Sequence, residues 1–315
     1  MKKELQRLYN INENTLKQVT DGFQNMVYSY ESEGTERILR ITSKCKRSYE
    51  MIEEELRWIQ YLSEKGITVA NATPSIEGNL IESVQDFYVI SFEKAEGGHV
   101  QVGDLSEWNT DLFEKWGQLV GKMHQASKSY PYSKNRPVWS IQNPDLYRLE
   151  PQGTLKTKYE KLLKELESFH VSDDTFGLIH FDLHQGNFFV QNQTITFFDF
   201  DDCSYYWFAY DIAVSYYHAY WQSMSWHREW KTFGKDFLYF FLKGYQRHNI
   251  LSAEMVKQLP VFLKIRDIFL YQLFQEKWNH NQLLDWQREK LAELLNNIEN
   301  EVTYPVSTSL LSLEK

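Results

Sequence analysis

The sequence predicts an α+β protein, and three observations predict it. Up to about residue 95, short runs of alternating apolar and polar residues surround a single helical stretch. Beyond that point apolar residues recur mostly at helical spacing. Within this second part, residues 179–202 form the densest polar patch of the chain, a loop that runs into two short apolar strands.

The elements follow in order. Met26-Val27-Tyr28-Ser29-Tyr30, a turn at Glu33-Gly34 and Arg37-Ile38-Leu39-Arg40-Ile41 read as an antiparallel hairpin within 15–41. Residues 47–64 read as a helix that stops at Lys65-Gly66, because glycine accepts the left-handed conformation that ends helices. Two strands are expected near 78–84 and 86–92, and Glu93-Lys94-Ala95-Glu96-Gly97-Gly98 reads as a linker. Residues 110–127 read as a helix with Leu112, Trp116, Leu119, Val120 and Met123 on one face. Residues 128–153 hold Pro131, Pro137, Pro144 and Pro151 and read as an ordered loop or lid, followed by a helix near 154–169. After the patch at 178–213 the chain reads as helices, for example at Phe237–Tyr245 and Val261–Phe274. There is no internal repeat and no low-complexity segment.

Composition excludes several classes. Lys and Arg number 34 against 43 Asp and Glu, a net charge of −9, whereas a nucleic-acid binder needs a basic footprint. Hydrophobic residues make up 42% of the 315 positions, enough for sizeable cores. No apolar run approaches the ~18 residues that cross a bilayer, and Met1-Lys2-Lys3-Glu4-Leu5-Gln6-Arg7 lacks the apolar stretch of a signal peptide. Cys45 and Cys203 are too few for a disulfide scaffold or a thiolate zinc site. A cytoplasmic protein with no nucleic-acid or membrane partner is expected; nothing in the sequence indicates its oligomeric state.

The patch carries the chemistry. His180, Asp182, His184 and Asn187 form a polar loop. A strand at 188–190, a turn at Gln191-Asn192-Gln193 and a strand at 195–198 lead to Asp199, which the hairpin returns beside Asn187. Asp and Asn together suit a hard cation such as Mg²⁺, which takes oxygen ligands. A separate Asp five residues before the Asn suits a hydroxyl proton. This is the kinase catalytic-loop pattern, His-x-Asp-x-x-x-x-Asn followed by a metal-binding Asp.

The segment resembles the aminoglycoside phosphotransferase and choline kinase superfamily of small-molecule kinases, closely at 179–213 and more loosely elsewhere. The resemblance implies a protein-kinase-like bilobal fold: an antiparallel-sheet N-lobe with one key helix at 1–92, a hinge at 93–98 and a mostly helical C-lobe at 99–315. It implies that Asp182 is the catalytic base or hydroxyl-orienting residue and that Asn187 and Asp199 bind Mg²⁺ on the phosphates of ATP. It also implies that His180 holds the loop and Asp211 braces its backbone. Phe181 stands where protein kinases carry an Arg, and Asp201 where they carry Gly. Both departures fit a small-molecule kinase.

The rest of the nucleotide site is read partly by resemblance and partly from the residues. Gly22 and Asn25, in Asp21-Gly22-Phe23-Gln24-Asn25, are similar to the phosphate-covering loop, although a lone glycine also reads as a plain hairpin residue. Arg40 is the candidate phosphate cation where the family often has Lys; an exposed strand charge is the alternative. Around the 47–64 helix, Met51, Ile52, Trp58, Ile59 and Leu62 form an apolar arc with Glu55 near its centre, while Glu53 falls opposite. A carboxylate there needs a partner, and Arg40 is the candidate; Glu54 is the replacement if Glu55 is not the one. By resemblance the Glu93 carbonyl and Ala95 amide meet adenine.

Asp202, Tyr206 and Trp207 are candidate acceptor contacts, with a helix-capping role for Asp202 and a core role for the aromatics as alternatives. The acidic residues at 199–202 and 211 favour an amine-bearing alcohol, such as an aminoglycoside, homoserine or a choline-like molecule, as the hydroxyl acceptor. Three other readings stand beside this one: a bacterial Ser/Thr protein kinase on the same fold, a nucleotide-binding module without transfer, and a metallohydrolase using His180, Asp182 and His184.

Overall fold

A computed structural model describes residues 1–12, 14–19 and 25–306. In chain order its helices are α1 (Lys2–Tyr9), α2 (Tyr49–Glu64), α3 (Thr110–Ser127), α4 (Gly153–Leu166), α5 (Phe208–Trp226), α6 (Phe233–Tyr245), α7 (Ala253–Lys277) and α8 (Asp285–Glu299). Its strands are β1 (Lys17–Val19), β2 (Met26–Ser32), β3 (Thr35–Ser43), β4 (Ala72–Thr73), β5 (Glu82–Val84), β6 (Phe87–Glu93), β7 (Phe176–Ile179), β8 (Phe188–Gln191), β9 (Thr194–Phe197) and β10 (Ser204–Trp207). Two compact units form. The first takes Met1–His99, Pro131–Arg136 and Asn187–Asp201; the second takes Val100–Tyr130, Pro137–Gly186 and the chain from Asp202 onward.

The first unit is an antiparallel sheet in the order β1-β2-β3-β6-β4, with β5 also paired to β6. The β2–β3 hairpin closes through Glu33 and Gly34, both at positive φ, which matches the twist of the strands they join. Alternation along β3 sends Leu39 and Ile41 into a core with Leu5, Leu8 and Tyr9 of α1, Tyr30, Val84 and Val89. Arg40 points the other way, toward α2. Ser48 caps α2 by accepting the Met51 N–H at 3.3 Å, and Gly66 beyond its end has φ 74°. The helix buries Ile52, Leu56, Trp58, Ile59 and Leu62.

Hairpin β8–β9 belongs to this unit, although a simple split at the 93–98 linker assigns it to the other. Backbone hydrogen bonds explain why. Val190 and Gly98 exchange N–H groups for carbonyls at 2.9 and 3.4 Å, and Phe197 does the same with Thr68 and Ala70 at 3.0 and 2.9 Å. The contact is tight at Gly97, where φ is +85° and a Cβ would lie 2.1 Å from the Val190 carbonyl oxygen.

The second unit is mainly helical. Helices α3 and α6 lie close enough that a Cβ on Gly117, Gly121 or Gly244 would meet a backbone carbonyl of the facing helix at 1.8, 2.4 and 1.9 Å. Helix α5 packs on α7 and α6, and α7 also packs on α4 and α8. Strands β7 and β10 pair antiparallel, Ser204 opposite Ile179. No helix or strand forms over 128–152. Among the described residues, no helix is long and apolar enough to cross a membrane.

Candidate active site

In the second unit the polar loop leaves β7 at His180. Asp211, in the first turn of α5, receives two of its backbone amides: Oδ2 accepts the His180 N–H at 3.0 Å and Oδ1 accepts the Phe181 N–H at 2.8 Å. Phe181 sits at φ 75°, an uncommon conformation for a bulky residue, and this clamp holds it there. The carboxylate is 0% exposed, so its remaining bonds matter. His124 Nε2 lies 3.2 Å from Oδ2, and the His124 Nδ1 lies 3.0 Å from the Tyr245 hydroxyl, which in turn accepts from Asn249 at 2.8 Å. Burial, chiefly, keeps the His124 imidazole below its usual range. A neutral ring then donates through Nε2 and accepts through Nδ1.

The clamped turn presents Asp182, whose side chain is 32% exposed. Its Oδ1 accepts from Arg266 of α7 at 2.5 Å, and its Oδ2 lies 3.6 Å from His184 Nε2. Burial pushes this carboxyl up, but the Arg266 guanidinium foremost, with His184 beside it, outweighs burial and holds it well below the usual carboxylate range. Asp182 is therefore ionised and a weak base. Arg266 is 84 positions downstream of Asp182, and nothing in the local sequence pairs them.

Tyr206 and Trp207 correct an expectation. Both lie on β10, 3% and 0% exposed, packed with Trp139, Phe169, Phe176, Tyr210 and Phe262. They are core, with no face for an acceptor. Asp202 is partly exposed, and its carbonyl accepts the Ser204 hydroxyl at 2.8 Å.

In the first unit the β8–β9 register places Phe188 opposite Phe197. Asn187 then faces Phe198, whose N–H donates to the Asn187 carbonyl at 3.0 Å, and Asp199 comes next with φ 65°. Both side chains offer oxygen, the donor a hard cation takes, and two protein ligands suit an ion that fills its other positions with phosphate and water. Among the described residues no three His, Cys, Asp or Glu side chains form a metal cluster.

Arg40 and Glu55 form a bidentate pair at 2.7 and 2.8 Å, with side chains 6% and 1% exposed. Burial disfavours the cation, but Glu55, with Asp201 and Asp199 behind it, holds the guanidinium charged. Asn25 does not reach outward: its Nδ2 donates to Asp201 at 2.8 Å and its Oδ1 accepts from Thr42 at 3.0 Å. Arg136 donates to the Asp201 carbonyl at 2.6 Å and to that of Met51 at 3.1 Å, pinning the segment after Asp199. Glu93 ends β6 with its N–H on the Asn71 carbonyl at 2.8 Å, and Ala95 is buried. Gly22 lies outside the described residues. Asp201 and Asp211 are thus engaged inside the fold, which removes them from the count of acids open to an amine.

Known proteins resemble this chain in sequence and fold. A family model described as phosphotransferase enzyme family, APH, matches residues 15–249. Amicoumacin kinase of Bacillus subtilis (strain 168) is 33% identical over 288 residues, covering 88% of this chain and 85% of that one. The structure of the amicoumacin kinase hAmiN in complex with AMP-PNP, Ca²⁺ and Ami superposes with a TM-score of 0.89 at 31% identity, over 98% of this chain and 95% of that one. A microcompartment-associated aminopropanol kinase shares the fold, with a TM-score of 0.72 at 21% identity over 98% of both chains.

Proposed function

The chain belongs to the phosphotransferase enzyme family and is a small-molecule kinase, and from that premise we propose that it moves the γ-phosphoryl group of ATP onto a hydroxyl of an amine-bearing alcohol, with amicoumacin the first acceptor to test. The observation that supports this most is the Asp211 clamp on the amides of His180 and Phe181, which fixes the turn that presents Asp182.

Asp182 receives the acceptor hydroxyl and orients it. A new bond forms between the acceptor oxygen and Pγ as the bond from Pγ to the β,γ-bridging oxygen breaks. ADP leaves, and the hydroxyl proton passes to Asp182 and on to solvent. A loose transition state asks little of the base until late, so a weakly basic carboxylate suffices. Asn187 and Asp199 would hold Mg²⁺, which supplies neutralisation of the phosphate charge. Arg40, kept charged and fixed by Glu55, supplies a permanent cation for phosphate oxygens. Catalysis is then mostly positioning and electrostatics.

The test is thermal unfolding with ATP or GTP, each with and without Mg²⁺, followed by transfer of a radiolabelled γ-phosphate to amicoumacin, to other amine-bearing alcohols and to a general protein substrate. Nucleotide at ~100 times its Kd stabilises the fold by ~2.7 kcal/mol, a shift of several degrees. Asp182→Asn is expected to keep that shift and to lower transfer at least ~100-fold. Full turnover in this variant would remove Asp182 from the mechanism, and label appearing only in protein would make the chain a protein kinase.

A further inference from the structure

Arg266, the cation on Asp182, lies beyond the segment that the family model matches, which ends at residue 249. Arg266 sits on α7 with its side chain 4% exposed. Besides Asp182, its Nε and Nη2 approach His218 Nε2 of α5 at 3.2 and 2.8 Å. A nitrogen that faces a guanidinium must accept, so the His218 ring is neutral with its proton on Nδ1. Burial, first of all, and then the charge of Arg266 keep it so.

The brace continues on both sides. His218 stacks on His184, with centroids 4.5 Å apart and planes 23° apart, and His184 Nδ1 accepts the Gly186 N–H at 3.0 Å. Across the guanidinium, the Arg266 Cζ lies 4.8 Å from the Phe269 ring centroid, and Phe269 stacks on Tyr147 at 4.3 Å. Burying a guanidinium costs several kcal/mol unless it is paired and hydrogen-bonded. Here the anionic partner is the one carboxylate that the reaction uses.

We propose that Arg266, braced by neutral His218, is a positioning residue for phosphoryl transfer, holding the Asp182 carboxylate in one orientation and ionised as it receives the acceptor hydroxyl. This rests on the reading of Asp182 given above. The acceptor O–H bond still breaks, acceptor oxygen still bonds Pγ and ADP still leaves; Arg266 sets when the proton reaches Asp182, after most of the new bond has formed. Among the described residues, the titratable and charged groups facing this carboxylate include Arg266 of α7, His184 of its own loop and His218 of α5, with Tyr210 of α5 facing Arg266 and Lys290 of α8 facing His218.

The experiment compares wild type with Arg266→Lys, Arg266→Met and His218→Phe. It reads kcat and KM with ATP, Mg²⁺ and amicoumacin across pH, and titrates Asp182 by carbon-13 NMR of aspartate-labelled protein. Arg266→Met is expected to lower kcat about 100-fold with nucleotide KM within about two-fold, since a misplacement near 1 Å costs about that much. Its acid limb and its Asp182 titration should rise toward the ordinary carboxyl range, and Arg266→Lys should restore most of both. If Arg266→Met does not fold, His218→Phe decides: about a ten-fold loss of kcat and a smaller upward titration shift are expected. An Asp182 titration unmoved in every variant, or an Arg266→Met enzyme with wild-type kcat and pH profile, overturns the proposal. If wild type leaves amicoumacin unmodified, the titration still decides what Arg266 does to Asp182, and the acceptor reading alone has failed.

Discussion

Glu55 sits on the apolar stripe of α2 at 1% exposure, and Arg40 is what makes that position tolerable. A buried ion pair adds little to stability against a well-packed apolar pair, but half of one is costly. Arg40→Met alone should therefore destabilise the protein by ~3–5 kcal/mol, because it leaves the Glu55 carboxylate buried without its partner. Arg40→Met with Glu55→Leu should recover most of that loss while leaving nucleotide binding impaired. Urea unfolding and the nucleotide-dependent thermal shift, measured on the same variants, separate the two effects. A double variant as unstable as the single one would show that the pair holds the fold rather than equipping the site. The partnership itself was legible in the sequence: β-strand alternation put Arg40 on the face opposite Leu39, and helical periodicity put Glu55 among apolar residues. The Arg266–Asp182 pair was not legible, because only the packing of α7 brings residues 84 positions apart together.

At the scale of elements, the α3–α6 contact reverses what local preference suggests. In a helix, glycine is worse than alanine by ~1 kcal/mol, so Gly117→Ala looks stabilising from the sequence. In the fold, a Cβ at Gly117 would lie 1.8 Å from the Phe241 carbonyl oxygen, against backbone that cannot swing aside as a side chain can. The helices would have to separate, and overpacking of this kind costs ~1–3 kcal/mol or more. Gly117→Ala is expected to lower the urea midpoint; a rise would mean that the helices slide apart at little cost. Elements whose signal is local were readable: the β2–β3 hairpin, α2 with its Ser48 cap, α3, and hairpin β8–β9. Strands β1 and β4, of three and two residues, were not, because their only support is pairing with a neighbouring strand. Strand β10 reads as an apolar run that periodicity alone cannot assign.

For the whole molecule, three buried groups contribute to the response to pH. His124 and His218 are held below their ordinary value of about 6.5, both chiefly by burial. The unfolded chain therefore binds protons there that the native protein refuses, and stability falls as pH drops through 6.5. Asp267 acts in the opposite sense. Burial pushes its carboxyl up to about 6, despite hydrogen bonds from Tyr304 and Tyr217. The native state keeps a proton that the unfolded chain releases near its ordinary value, so this contribution is present at low pH and lost as pH rises through about 6. Between about pH 6.5 and 5 the two histidines act against the one carboxyl, and stability should fall on acidification. Asp267→Asn removes the opposing group and should steepen that fall. Urea midpoints at pH 5, 6 and 7 check both, and a flat response would show that the histidines take up protons in the folded state.

Local pattern carries the α+β class, the kinase-type loop and the residue kinds that phosphoryl transfer needs, because spacing of two and of 3.6 residues and the short offsets from His180 to Asp199 all lie within short stretches of chain. Tertiary structure decided the remainder. It placed Tyr206 and Trp207 in the core, turned Asn25 inward onto Asp201 and joined hairpin β8–β9 to the linker through Gly98. It also set Arg266 on Asp182. Each of these outcomes depends on which surfaces pack together, and packing is settled by the free energy of burial over the whole chain, not by the pattern of any one segment.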